Sequence, residues 1–317
     1  MRFLTFFLLL AMPLSAVEFE KIRYRGYDAY RLTNSDVELV VVTGTGPRIL
    51  RYGFIGGANV FVEFSEEDEA RITGGAEWKL HGGHRIWVGP EAPSYTYAPD
   101  NEPTEVSVEG GKLRSTQPAD IAGIEKEIEV ELDAEGTGVR VTHRLRNRSM
   151  WPLEMAPWAL SMMAPGGHGI TTFPPRGRHP EDLPPSNPLM MWAFTNLSDP
   201  RWTFLEKYLV LRQDPQNSDP EKLGHFNEHT RGAYLLGDTL FVKRFEADPS
   251  KTYPDMGVSF ETFTNAYFLE LETLGPLQRV EPGATIEHVE TWSLHRGVEV
   301  DEWTDAELDR KIAPLLR

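Results

Sequence analysis

The residues best equipped for chemistry stand in one run, Leu80-His81-Gly82-Gly83-His84-Arg85-Ile86-Trp87-Val88-Gly89-Pro90-Glu91. Two histidines, an arginine, a tryptophan and a glutamate surround a glycine pair. An imidazole moves a proton near neutral pH. A guanidinium fixes sugar or carboxylate oxygens, and an indole face stacks on a sugar ring. Paired glycines let the chain turn sharply and let a ligand come close to the backbone. The same composition fits a tight turn whose His81, His84 and Arg85 make ordinary hydrogen bonds.

A second candidate is Phe268-Leu269-Glu270-Leu271-Glu272-Thr273. On a strand, Glu270 and Glu272 share one face about 6.5–7 Å apart, with Leu269 and Leu271 on the other. That face is either solvated or the wall of a cleft, where one carboxylate acts as a general base. Lys243, at the end of the apolar Phe241-Val242, is either a surface lysine or a group that orients sugar oxygens. Trp151, Trp158 and Trp192 are core residues or sugar platforms. His225 and His229 are four apart, but Gly224 and polar neighbours favour a loop over a metal-bridging helix. The chain holds no G-x-S-x-G elbow, Walker loop, dinucleotide fingerprint or H-E-x-x-H pair. It has no cysteine, which excludes thiol catalysis, cysteine zinc sites and iron–sulfur clusters. No cofactor and no metal is expected.

The elements that must hold these residues are strands. In Ile124–Leu132 the glutamates alternate with Ile124, Ile128, Val130 and Leu132; after a turn, Val139, Val141, His143 and Leu145 alternate with Arg140, Thr142, Arg144 and Arg146. This period of two reads as an antiparallel hairpin with one buried face. Lys126 and His143 fall on the apolar side, where a polar residue needs a reason. Further strands are expected at 38–43, 49–53, 59–63, 105–108, 112–115, 208–213, 239–245, 268–273 and 287–294. Many short strands with turns between them imply an all-β sandwich. One helix is expected at the C-terminus, capped by Thr304 or Asp305, with Leu308, Ile312, Leu315 and Leu316 as its apolar stripe. The Pro-rich stretch 173–188 reads as a long loop of the kind that forms binding walls.

Arg2, the apolar run 3–12 and the small residues ending at Ala16 have the order of a cleavable signal peptide. The expected organisation is therefore a signal over 1–16 and a single domain over 17–317, secreted or periplasmic, with no membrane attachment after signal removal. The formal charge of −16 repels phosphate polymers and acidic polysaccharides, so nucleic acid is excluded as a partner and a neutral small molecule or oligosaccharide is favoured.

Gly82-Gly83-His84-Arg85-Ile86-Trp87 with Pro90-Glu91 resembles a little-characterised bacterial family grouped with the galactose mutarotase-like proteins. Gly46-Pro47-Arg48-Ile49, Ala156-Pro157-Trp158-Ala159-Leu160, Ala164-Pro165-Gly166-Gly167, Tyr253-Pro254-Asp255 and Leu269–Pro276 extend the resemblance over nearly the whole mature chain. It implies a galactose-mutarotase-like antiparallel β-supersandwich. Leu80-His81-Gly82-Gly83 looks like the aldose 1-epimerase segment whose histidine touches the sugar, a role for which His84 competes. Leu271-Glu272-Thr273 is similar to the segment bearing the general base. Arg48, Arg85, Trp87, Glu91, Trp158, Lys243 and Glu270 would contact the sugar. The epimerase general-acid histidine has no counterpart between Asn147 and Trp158, so Glu272 would need His84 or His81 as its acid. The resemblance thus implies a carbohydrate-binding protein that is an aldose 1-epimerase-like enzyme, a non-catalytic binding module, or an oligosaccharide hydrolase or lyase.

Overall fold

The computed structural model describes residues 17–317; the expected signal segment lies outside them. Two antiparallel sheets dominate. The first has eleven strands in the order β1 (Glu18–Tyr24), β2 (Tyr27–Thr33), β3 (Val37–Val42), β4 (Arg48–Phe54), β5 (Gly83–Gly89), β10 (Leu153–Met163), β19 (Leu269–Leu274), β18 (Phe260–Thr264), β15 (Glu221–His225) and β12 (Leu189–Met191), with β20 (Gln278–Val280) joined to β10. The second has ten: β13 (Trp202–Phe204), β14 (Tyr208–Arg212), β11 (His168–Thr172), β16 (Arg231–Leu236), β17 (Thr239–Phe245), β21 (Thr285–His295), β9 (Val139–Asn147), β8 (Ile124–Leu132), β7 (Lys112–Gln117) and β6 (Glu105–Glu109).

The expected hairpin is β8–β9, with Ile128 opposite His143 and Val130 opposite Val141. Its outer face is laced by charge: Arg144 meets Glu127 at 2.6 Å and Glu129 at 3.4 Å. The two polar residues on its inner face each find a partner. Lys126 donates to Asp120 at 2.8 Å, and the His143 ring meets His84.

The central strands of the two sheets pack face to face. Ile86, Ala159, Leu269 and Leu271 from one side meet Ile128, Val141, Phe241 and Trp292 from the other in a single buried cluster. Phe61, Phe241 and Trp292 contact edge to face, with centroids 5.6 to 5.7 Å apart, a favoured aromatic geometry. The C-terminal helix, Asp305–Lys311, is capped by the Thr304 side chain. Leu308, Ile312 and Leu316 cover Ile170, Val210, Leu240 and Val242 on the far face of the ten-stranded sheet.

Two expectations need correction. Residues 59–63 form only isolated bridges, Phe61 with Met163 and Glu63 with Gly82. A helix at Glu66–Thr73, capped by Ser65 with four acids in its first turn, had no apolar stripe to announce it. Among the described residues, no helix is long and apolar enough to cross a membrane.

The glycine pair enters β5 with φ of 87° at Gly82 and 70° at Gly83. A Cβ on Gly83 would lie 2.3 Å from the Ile49 carbonyl oxygen, and one on Gly82 would lie 2.1 Å from that of Val62. Both backbone sign and space therefore require glycine. Gly83→Ala is expected to lower unfolding free energy by more than about 1 kcal/mol, read from urea denaturation; an unchanged midpoint would show that β4 and β5 can separate freely.

Candidate functional site

Strand register builds the site. Across the eleven-stranded sheet, Arg48 lies beside Arg85, Arg85 beside Leu160, Leu160 beside Glu272, Glu272 beside Glu261, and Glu261 beside Gly224. One neighbouring row pairs Trp87 with Trp158 and Leu274. Another pairs Met162, Glu270, Phe263 and Lys222. Side chains opposite one another in a ladder share a face, so all of these project from the outer face, away from the ten-stranded sheet.

Chain segments rise around this face to enclose a cavity of about 280 Å³. Its walls are aromatic: Trp78, Trp87, Tyr97, Trp158, Trp192 and Phe194. Glu91, Lys222, Asn265 and Glu270 supply polar groups. Trp78, Trp87 and Tyr97 pack mutually, with centroids 4.9 to 6.1 Å apart.

A charged cluster lies at one side of the cavity. Lys222 Nζ is 2.6 Å from Glu261 Oε2 and 3.0 Å from Glu272 Oε2. It also sits between the Trp158 and Trp192 rings, 4.9 and 4.6 Å from their centroids. The Trp158 indole donates to Glu272 Oε2 at 2.8 Å. Oε1 of Glu261 and Oε1 of Glu272 are buried without a hydrogen-bond partner. Burial alone would discharge Lys222, but Glu261 and Glu272 reverse this and hold its ammonium above the ordinary range. Burial, then the neighbouring Glu272 charge, pushes the Glu270 carboxyl up to about 8. Glu261 is also raised, by burial first, against the opposing pull of Lys222.

Arg85 lies over Trp87, its guanidinium carbon 3.7 Å from the ring centroid. Nη1 donates to the Lys79 carbonyl at 3.2 Å, while Nε and Nη2 have no partner. Burial and the nearby Arg48 charge oppose its positive charge but do not remove it, because a guanidinium stays protonated in proteins. Arg48 is itself neutralised by Asp100 at 2.6 Å.

Arg48, Arg85, Trp87, Trp158, Glu270 and Glu272 therefore share the outer face, and Glu91 lines the cavity with Tyr97 Oη donating to it. The histidines do not join them. His84 alternates with Arg85 and so turns into the sealed space between the sheets, 2.8 Å from Ser161 Oγ. His81 lies in a separate depression with Tyr27 and Glu69, its Nδ1 3.1 Å from Glu69 Oε1. Lys243 is likewise between the sheets, paired with Glu290 at 2.8 Å. No histidine lines the cavity among the described residues, so the expected pairing of Glu272 with a histidine acid is not formed. Glu272 is itself fully buried; the late-strand carboxyl that lines the cavity is Glu270.

Sequence reasoning missed Lys222, Glu261, Trp78, Tyr97 and Asp100. Glu261 was detectable: Phe260-Glu261-Thr262-Phe263-Thr264 is a strand-like run of aromatic and β-branched residues that it interrupts. Lys222 had no such signal, because its strand, Glu221–His225, is short and mostly polar in sequence.

The two stacked antiparallel sheets form a galactose-mutarotase-like fold. The candidate aldose 1-epimerase from Klebsiella pneumoniae is 14% identical, with a TM-score of 0.54 over 95% of this chain and 88% of that one. The galactose mutarotase-like protein from Lactobacillus casei is 11% identical, with a TM-score of 0.54 over 84% of this chain and all of that one (100%). The candidate aldose 1-epimerase from Escherichia coli K12 is 11% identical, with a TM-score of 0.51 over 84% and 99%. No protein-family model and no curated protein matches the chain.

The raised carboxyl has a stability consequence. A Glu270 that holds its proton to about pH 8, against about 4.3 when unfolded, makes the folded state bind more protons between those values. Its contribution is complete below the lower value and is lost as pH rises through the upper one. Denaturation at pH 5, 6.5 and 8 is therefore expected to show a decline that Glu270→Gln flattens; equal slopes in the two proteins would mean that Glu270 is ionised throughout.

Proposed function

We propose that the protein binds a carbohydrate ring in the outer-face cavity. The observation that carries this reading is the composition of the cavity: aromatic faces on several sides, interrupted by a few fixed polar groups. A sugar ring has apolar C–H faces and a hydrogen-bonding edge, and such a cavity complements both. Lys222, Asn265, Glu91 and Glu270, which line the same cavity, supply hydrogen-bonding groups for the sugar's edge. Residues 1–16 direct export in this reading, and the mature chain begins at Val17.

Anomer interconversion is the catalytic reading that the site favours. A base takes the anomeric hydroxyl proton while an acid protonates the ring oxygen, so two groups must flank the ring. Glu270 and Glu91 are the carboxyl groups lining the cavity. Glu270, protonated near neutral pH, serves as the acid, and Glu91 as the base. This arrangement dispenses with histidine.

Titrating neutral mono- and oligosaccharides against tryptophan fluorescence tests binding. Trp87→Ala should weaken the best ligand by about tenfold or more, equivalent to about 1.4 kcal/mol; undiminished affinity would move the ligand out of this cavity. Polarimetry on freshly dissolved sugars tests catalysis. Mutarotation accelerated by wild type and lost in Glu270→Gln supports the enzyme; binding without acceleration leaves a binding module. Release of reducing ends or unsaturated products from oligosaccharides would replace both readings with a hydrolase or a lyase.

A further inference from the structure

Behind the cavity, between the two sheets, lies a second polar cluster that the carbohydrate reading does not use. His84 on β5, His143 on β9, Lys243 on β17, Thr273 on β19 and Glu290 on β21 are all fully buried. A sandwich core can be filled by apolar side chains alone, so buried titratable groups here require compensation.

Proton accounting shows how the cluster is directed. His143 Nδ1 is 3.0 Å from the His288 carbonyl oxygen. That oxygen only accepts, so His143 Nδ1 carries the hydrogen and Nε2 presents its lone pair. The lone pair points at His84 Nε2, 2.6 Å away, while His84 Nδ1 is engaged with Ser161 Oγ. Glu290 Oε2 is 3.9 Å from the same His84 nitrogen. The three ligand atoms lie within 4.8 Å of one another. Each is oriented from behind: His143 by a backbone carbonyl, His84 by a hydroxyl, and Glu290 by Lys243, Thr273 and the Trp292 indole. Metal-binding histidines and carboxylates are typically supported in this way.

We propose that His84 Nε2, His143 Nε2 and Glu290 Oε2 form a site for one divalent transition-metal ion, zinc by ligand type. Two imidazoles and a carboxylate are an established zinc donor set. Zinc–nitrogen bonds of about 2.0–2.1 Å set tetrahedral ligands about 3.3 Å apart, so the two rings need to part by less than about 1 Å. Lys243 opposes the ion. Its ammonium neutralises Glu290 when the site is empty and competes with a cation for the same carboxylate. His288 extends the same hydrogen-bond network toward the surface. It lines a surface depression of about 490 Å³, and its Nε2 is 2.7 Å from Thr273 Oγ1, which in turn donates to Glu290.

The full chain, purified without a metal-affinity tag, is dialysed against EDTA and then against zinc chloride, and bound zinc is counted by mass spectrometry. About one zinc per chain, with a melting temperature raised by zinc and lowered by EDTA, is the expected result. Glu270→Gln should keep this response and His143→Leu should lose it. Lys243→Met separates a metal site from a purely structural pair: it should be destabilised without zinc and should gain more from zinc than wild type does. Wild type retaining under about 0.1 zinc per chain, with melting indifferent to zinc and EDTA, overturns the proposal. The cluster is then a neutral hydrogen-bonded pair locking the sheets. Those wild-type measurements decide the matter even if His143→Leu fails to fold.

Discussion

The period-two alternation of β5, β10 and β19, held in register across the centre of one sheet, is the constraint on which everything else rests. Each of these strands sends one set of side chains into the sealed space between the sheets and the other set outward. Ile86, Ala159 and Leu271 go inward; Arg85, Leu160 and Glu272 go outward on the same three strands. A slip of one residue in β5 would exchange His84 for Arg85 and destroy both clusters together. The left-handed glycines at its start fix that register, because only they allow the backbone to pass so close to Ile49 and Val62.

The charges on the outer face are a second consequence of this order. Three glutamates, Glu261, Glu270 and Glu272, stand on two adjacent strands, and burial makes three like charges there prohibitive. Lys222, delivered by β15 from the far side, answers two of them. Trp158 and Trp192 provide π faces for the same ammonium, so the lysine has attractive neighbours in several directions. Glu270 is left without an ion-pair partner, and burial beside Glu272 pushes its carboxyl up to about 8; Glu261 is raised as well, despite Lys222. The polarity of the cavity is thus a result of strand order and not of any single residue.

The architecture was legible because β8 and β9 alternate cleanly and turns punctuate the chain. The helix Glu66–Thr73 was not, since its residues are nearly all polar and it is secured by the Ser65 cap rather than by an apolar stripe. The glycine–histidine–arginine run drew notice to Arg85 and Trp87, whose side chains project from the outer face. The same run also drew notice to His84, which turns between the sheets, because composition says nothing about which side of a strand faces outward; one residue of alternation separates the two positions. Glu270 and Glu272 were rightly placed on one face. Yet the more deeply set of the two, Glu272, could be told apart only once Lys222 and Trp158 were seen against it. Residues such as Lys222 and Asp100 join the site through pairings between distant segments, and no local pattern encodes those.

Likeness of fold does not transfer a mechanism, because function resides in the particular groups that a fold presents. Here the imidazoles that the resemblance assigns to sugar chemistry occupy other places, so under the proposed catalytic reading proton transfer in the cavity would fall to carboxyl groups. An exposed glutamate would be a poor donor at neutral pH, since it has already lost its proton. Burial beside another carboxylate moves Glu270 to about 8, which brings it into the range where histidine usually works. The same exclusion of water that seals His84 away between the sheets equips Glu270 to hold a proton on the opposite face. Residue type and environment together, rather than residue type alone, decide which group can take the acid's role.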